Sequence, residues 1–164
     1  MAFTGLNDYN VFTTDSQNTT ENGKNSLMIV SNINPEVNAV SAQMFFNFKG
    51  ADSFTTVGSL KANTTYNFEY KVKTDSDITL TNYINSNGGT MQNGTSTANI
   101  SASAEWQTVS GSFKTVESGI DGWMWFTISF KQSTNEPFYI DDVKITELDS
   151  NGAPYTGDDT TSYT

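Results

Sequence analysis

Two tryptophans, Trp123 and Trp125, stand two residues apart in the run WMWFTISF. On an extended strand, residues i and i+2 share a face and lie about 7 Å apart. Met124, Phe126, Ile128 and Phe130 supply an apolar set for the opposite face, so two indoles on the remaining face call for a reason, because exposed aromatic surface is normally kept for binding. Indoles suit stacking on a flat, apolar ring face. Tyr83 joins them by the same pattern, since Thr79, Thr81 and Tyr83 alternate against Ile78, Leu80 and Ile84. In TYNFEYKVK, at 65–73, the apolar positions 66, 68, 70 and 72 leave Asn67, Glu69 and Lys71 on a polar face, where amide, carboxylate and ammonium groups can address neighbouring hydroxyls of a ligand. The plainer readings are tryptophans packed under a loop and a solvated sheet face. Gln43, Phe45 and Asn47 are further candidates for the same surface, but AQMFFNF carries bulk on both faces and leaves its register open.

Among the acids, Asp141 and Asp142 are adjacent in FYIDDVKITE. On a strand they point to opposite faces and so do not form one catalytic dyad. One of them must face inward or towards a loop, and an inward carboxylate needs a cation or several N–H donors. An all-oxygen site of carboxylates and carbonyls suits calcium; two solvated or turn-bonding aspartates are the alternative. The chain has no His and no Cys, which removes imidazole bases, thiolate nucleophiles, zinc sites and disulfides. A glycosidase pair needs two carboxylates roughly 5–10 Å apart, one of them desolvated. Glu69 sits beside the cation Lys71, and no second carboxylate pairs with it. The sequence therefore predicts no enzyme.

These residues must be held by strands. The 164 residues fit one domain, and more than a third are Ser, Thr or Asn, a composition poor in helix formers. Period-two alternation broken by Gly, Asn and Asp predicts strands at 26–31, 42–48, 53–57, 65–73, 78–84, 97–101, 107–114, 123–130 and 137–146, hence an all-β antiparallel sandwich or barrel. The domain is expected over 1–148, with 149–164 a polar linker or disordered tail. A net charge of −10, with eight Lys and no Arg, speaks against nucleic acid and anionic membranes. No apolar run approaches the roughly 18 residues of a membrane span. The first residues lack the basic start and apolar stretch of a signal peptide, so export would rely on a longer parent or another route.

FYIDDVKITE at 138–147, EWQTVSGSF at 105–113, Leu60 with Thr64 to Tyr66, and NGKNSLMIV in their order along 21–147 resemble carbohydrate-binding modules of the family 4, 9, 16 and 22 type. The resemblance implies a β-sandwich jelly roll of two antiparallel sheets, one with a concave face that holds a glycan. It implies a structural Ca2+ held by the Glu21 side chain, the Lys24 carbonyl and Asp141. The family's acidic first-strand string is missing from the first twenty residues; either that strand has diverged, into 9–13, or the chain starts inside the usual boundary. Function follows as an expectation: a non-catalytic module that binds a polysaccharide such as xylan, β-glucan or cellulose in a groove on one sheet and targets an attached enzyme to it. Trp123, Trp125 and Tyr83 would stack, and Glu69, Lys71 and Asn67 would orient the sugar. The alternative is an adhesion module of a phage tail or cell-surface assembly that recognises bacterial wall polysaccharide. Both readings are extracellular, and low charge with abundant Thr, Asn and aromatics suits a neutral glycan.

Overall fold

The computed structural model describes residues 2–4, 10–20, 23, 25–31, 40–47, 61, 63–86, 94–115, 124–132, 134–154 and 161–162. They form eleven strands and no helix: β1 (Ala2–Thr4), β2 (Asn10–Asp15), β3 (Ser26–Ser31), β4 (Val40–Asn47), β5 (Thr65–Thr74), β6 (Ile78–Ser86), β7 (Thr95–Ile100), β8 (Ser103–Lys114), β9 (Met124–Gln132), β10 (Phe138–Glu147) and β11 (Thr161–Ser162). Two antiparallel sheets result. One has five strands in the order β1-β4-β9-β6-β7, and the other has six, β2-β3-β10-β5-β8 with β11 also on β10. The architecture is a β-sandwich.

The reason is clearest in β5, where Tyr66, Phe68, Tyr70, Val72 and Thr74 are buried and the residues between them are half-buried. A strand with one apolar face must bury it against another layer. Ile78, Leu80 and Ile100, with Ile128 and Phe130, supply that layer from the five-stranded sheet, against Ile29, Val109, Phe113, Phe138, Ile140, Val143 and Ile145 from the six-stranded one. Phe130 meets Phe138 edge-on across the sandwich, with ring centroids 4.9 Å apart. Gly111 lies opposite Phe68, where a Cβ would sit 2.6 Å from the ring's Cζ, so only glycine leaves room for that phenyl group. At the end of β10, Glu147 is buried on the core side and pairs with Lys61 Nζ at 3.2 Å.

A polar bond joins the sheets inside this core. Tyr70 donates its hydroxyl to Asn82 Oδ1 at 2.8 Å, and both residues are buried. Burial pushes the Tyr70 phenol above its ordinary pKa, a shift that the Asn82 bond opposes.

The expected strands match, with extensions. β8 begins at Ser103 because the ladder with β5 shifts between Val72 and Thr74, which hides its first residues from a period-two pattern. The candidate at 53–57 lies outside the described residues. Asn10–Asp15 supplies a strand paired with β3 where the resemblance left the first strand open. Within the stretch read as a tail, Thr161–Ser162 pairs with Ile145–Lys144, and a turn from Asp149 closes a bridge between Leu148 and Pro154. Backbone pairing with a distant strand leaves no trace in local composition.

Replacing Tyr70 by Phe should strand the buried Asn82 amide and destabilise the domain by about 1–3 kcal/mol. Urea denaturation of both proteins checks this, and an unchanged midpoint would refute the structural weight given to the bond.

Candidate functional site

The sequence-predicted binding residues divide between the two sheets. Tyr83 lies on β6, half-buried, paired with Thr127 of β9 and Thr95 of β7. Trp125 lies on β9, in register with Asn85 of β6 and Asn47 of β4. Trp123 lies outside the described residues. Register decides what AQMFFNF left open: Gln43, Phe45 and Asn47 pair with Ser129, Thr127 and Trp125, in the same alternation set as Tyr83 and opposite to the core set of Ile128 and Phe130. Asn67, Glu69 and Lys71 lie instead on β5, in the other sheet. A single groove holding all six is therefore corrected, because the solvent sides of the two layers of a sandwich face away from each other.

The five-stranded sheet's non-core side has a distinctive chemistry. Its strands contain no Asp or Glu, and their one formal charge is Lys131; every other charge that lies in a strand belongs to the six-stranded sheet. Thr127 is fully buried although its alternation places it away from the core, whereas Thr79, Thr95, Thr97 and Asn99 stand exposed along β6 and β7. On this side Thr127 is buried and the β7 margin is exposed. Thr79 donates its hydroxyl to Asn99 Oδ1 at 2.9 Å, which leaves the Asn99 amide group as a donor at that margin.

On the outer side of β5, Lys71 donates to Thr108 Oγ1 at 2.6 Å, and Glu69 faces Ser110 on one flank and Lys144 on the other. This is a mixed-charge sheet face. Sequence reasoning grouped these residues with the aromatics because alternation reports which side of its own strand a residue takes and not which sheet the strand joins.

Asp141 forms a second centre. It lies on that same outer side, opposite Lys71, yet only 8% of its surface is exposed. A turn between β2 and β3 covers it: Thr20 donates its amide at 3.3 Å and its hydroxyl at 3.1 Å to Asp141 Oδ2, while the Asp142 amide donates to Oδ1 at 2.8 Å. Asp142 adopts φ +51° in a β-bulge, two residues of β10 opposing one of β5, so plain strand alternation does not run through the two aspartates. Continuing the β3–β10 register by one residue sets Ser26 opposite Asp141, and the Ser26 hydroxyl is buried with no hydrogen-bond partner. At Gly23, a Cβ would lie 2.5 Å from Asp141 Oδ2 and 3.2 Å from Thr20 Oγ1.

Asp141 is thus a buried carboxylate met by two amide N–H groups and one hydroxyl; its oxygens, Thr20 Oγ1 and the Ser26 hydroxyl are hard oxygens of the kind calcium takes. Glu21 and Lys24, the other expected ligands, lie outside the described residues. Among the described residues no three acidic side chains gather there, so any ion would rest on one carboxylate and two hydroxyl oxygens. Thr20, Gly23 and Ser26 escaped sequence reading because nothing local marks them; only the NGKNS turn nearby was a signal.

The same turn is anchored elsewhere on the sheet. Lys73 Nζ donates to Asn18 Oδ1 at 2.9 Å and Trp106 Nε1 to the Thr19 carbonyl at 3.1 Å. Asp15 accepts from the Asn18 side chain and the Gln17 amide, bonds that hold its carboxyl below its ordinary pKa of 3.8. Their contribution is present above that value and is lost as pH falls through the lowered one.

Gly23→Ala should push the Asp141 carboxylate off Thr20 and cost about 1–3 kcal/mol. Equal urea midpoints for the two proteins would show that the turn does not rest on Asp141.

Neither a protein-family profile nor a curated sequence matches the chain. Solved structures share its fold. The enzymatically active domain of tailspike protein 4 from bacteriophage CBA120 superposes with a TM-score of 0.59 at 12% identity, over 90% of this chain and 19% of that one. The carbohydrate-binding module TmCBM61, solved with β-1,4-galactotriose, gives 0.55 at 13% identity over 88% and 92%. The CBM22-1 xylan-binding domain of Paenibacillus barcinonensis Xyn10C gives 0.53 at 14% identity over 88% and 85%. The chain thus spans about a fifth of the tailspike chain and most of each isolated module.

Proposed function

We propose that this domain is a non-catalytic carbohydrate-binding module whose ligand, a neutral glycan, lies across the non-core side of the five-stranded sheet. One observation carries the reading: in a chain of net charge −10, the strands of this sheet hold no carboxylate, while their register lines Tyr83 up with Trp125, Phe45 and Asn47 amid Thr and Asn. Aromatic faces stack on sugar C–H faces, and uncharged hydroxyls and amides exchange hydrogen bonds with sugar hydroxyls without the desolvation cost of an unpaired charge. Strands without Asp or Glu also offer no acid–base pair for hydrolysis. The fold shared with modules solved as glycan binders supports the same reading.

The glycan class divides two roles. A β-glycan such as xylan, β-glucan or cellulose fits a module that holds an attached enzyme on its substrate. Bacterial wall polysaccharide fits an adhesion module on a virion or cell surface, a reading favoured by the tailspike likeness over 90% of this chain. In both the domain works outside the cell as part of a larger protein.

Calorimetric titration against a panel of both polysaccharide classes checks the proposal. Tyr83→Ala and Trp125→Ala should each weaken binding to the best ligand by roughly tenfold or more, since stacked rings in a shallow site carry much of the affinity. Lys71→Ala, on the other sheet, should leave it unchanged. Retained affinity in both aromatic variants would place the ligand elsewhere.

We also propose that Asp141, with Thr20 and Ser26 beside it and Glu21 and Lys24 completing the set, holds a structural Ca2+. The support is the buried carboxylate with neutral partners and the orphaned Ser26 hydroxyl. An ion that binds only the folded state raises its melting temperature. Added calcium should raise the midpoint, chelator should reverse this, and Ser26→Ala should shrink the shift. Identical melts with and without calcium would remove the site.

A further inference from the structure

We propose that β8 is a self-association edge, along which two copies of this chain pair their β8 strands antiparallel about a twofold axis. β8 ends the six-stranded sheet, and with twelve residues it is the longest strand among those described. One side of it is bonded to β5; along the other, no strand lies among the described residues. Thr108, Ser110 and Ser112 are exposed. Exposed edges are ordinarily blunted by short length, proline or charge, especially lysine. From Trp106 to Phe113, β8 has no proline and no charge.

What charge β8 has is self-complementary. Glu105 stands near one end and Lys114 at the other, and neither has an ion-pair partner among the described residues, where the recorded pair is Lys61–Glu147. Antiparallel pairing brings each Glu105 to the other copy's Lys114, twice by symmetry. Parallel pairing would set like charges together. For the core sides of the two sheets to match, the axis must fall at Val109 or Ser110, and either choice leaves Glu105 within one position of the other copy's Lys114, inside the diagonal reach of long side chains. Contacts of this isologous kind close on themselves as a dimer. For a chain of net charge −10, an uncharged edge is also the approach with the least repulsion.

Sedimentation equilibrium of the whole chain tests the proposal. The native protein should show a concentration-dependent dimer. Lys114→Glu and Glu105→Lys should each weaken it roughly tenfold, since each turns two attractions into repulsions, and the double reversal should restore it. The chain has no Cys, so Ser110→Cys, next to the axis, should give a covalent dimer on mild oxidation, whereas Ser112→Cys, displaced along both strands, should not. Circular dichroism melts confirm that each variant is folded. A native chain that stays monomeric overturns the proposal, as does a dimer indifferent to both single reversals or one that the double reversal does not restore.

Discussion

The sandwich depends on β5, whose buried face must be covered by a second sheet and whose central residue, Tyr70, hydrogen-bonds across to that sheet at Asn82. A buried phenol without a partner is costly, and so is a buried amide. The bond therefore favours one juxtaposition of β5 and β6 over neighbouring ones that an apolar contact alone would tolerate. With β6 placed, antiparallel pairing places β9 beside it and then β4 beside β9. That order is what brings Tyr83, Trp125 and Phe45 into neighbouring rows.

Closing the sandwich also separates two electrostatic environments. The strands of the five-stranded sheet carry Lys131 and no acid, whereas those of the other sheet carry acids and lysines in alternation. A neutral, hydroxyl-rich ligand suits the first surface, since no charge there has to be stripped of water. The second sheet holds the covering turn, Asp141 and, at the end of its strand order, β8. The proposed glycan surface and the proposed pairing edge thus lie on different sheets, and the proposed ion lies with the latter, beneath a turn that also bonds Lys73 and Trp106.

Much of the fold was legible because alternation is a direct imprint of a half-buried strand. The pattern at 66, 68, 70 and 72 marks a buried row that the structure contains, and Ile128 with Phe130 marks the facing one. Two local features broke the pattern. The shift opposite Val72 and Thr74 concealed the start of β8, and the bulge at Asp142, with φ +51°, interrupts the alternation between two adjacent aspartates. That one of the two adjacent aspartates needs partners was legible, because a carboxylate in an apolar strand has to be compensated, and the resemblance pointed to Asp141. Thr20, Gly23 and Ser26 were not, since their meaning comes from a register with β10 more than a hundred residues away.

Composition and periodicity by themselves determined an all-β chain and removed thiol and imidazole chemistry, because those statements depend only on residue types and on the two-residue repeat of a strand. Tertiary structure alone decided which strands share a sheet. It parted Asn67, Glu69 and Lys71 from Tyr83 and Trp125, joined Gln43, Phe45 and Asn47 to the latter, and left β8 at an edge. The physical reason is that a strand's own side chains specify its faces, whereas its neighbours are chosen by backbone hydrogen bonds, which are nearly the same for every sequence.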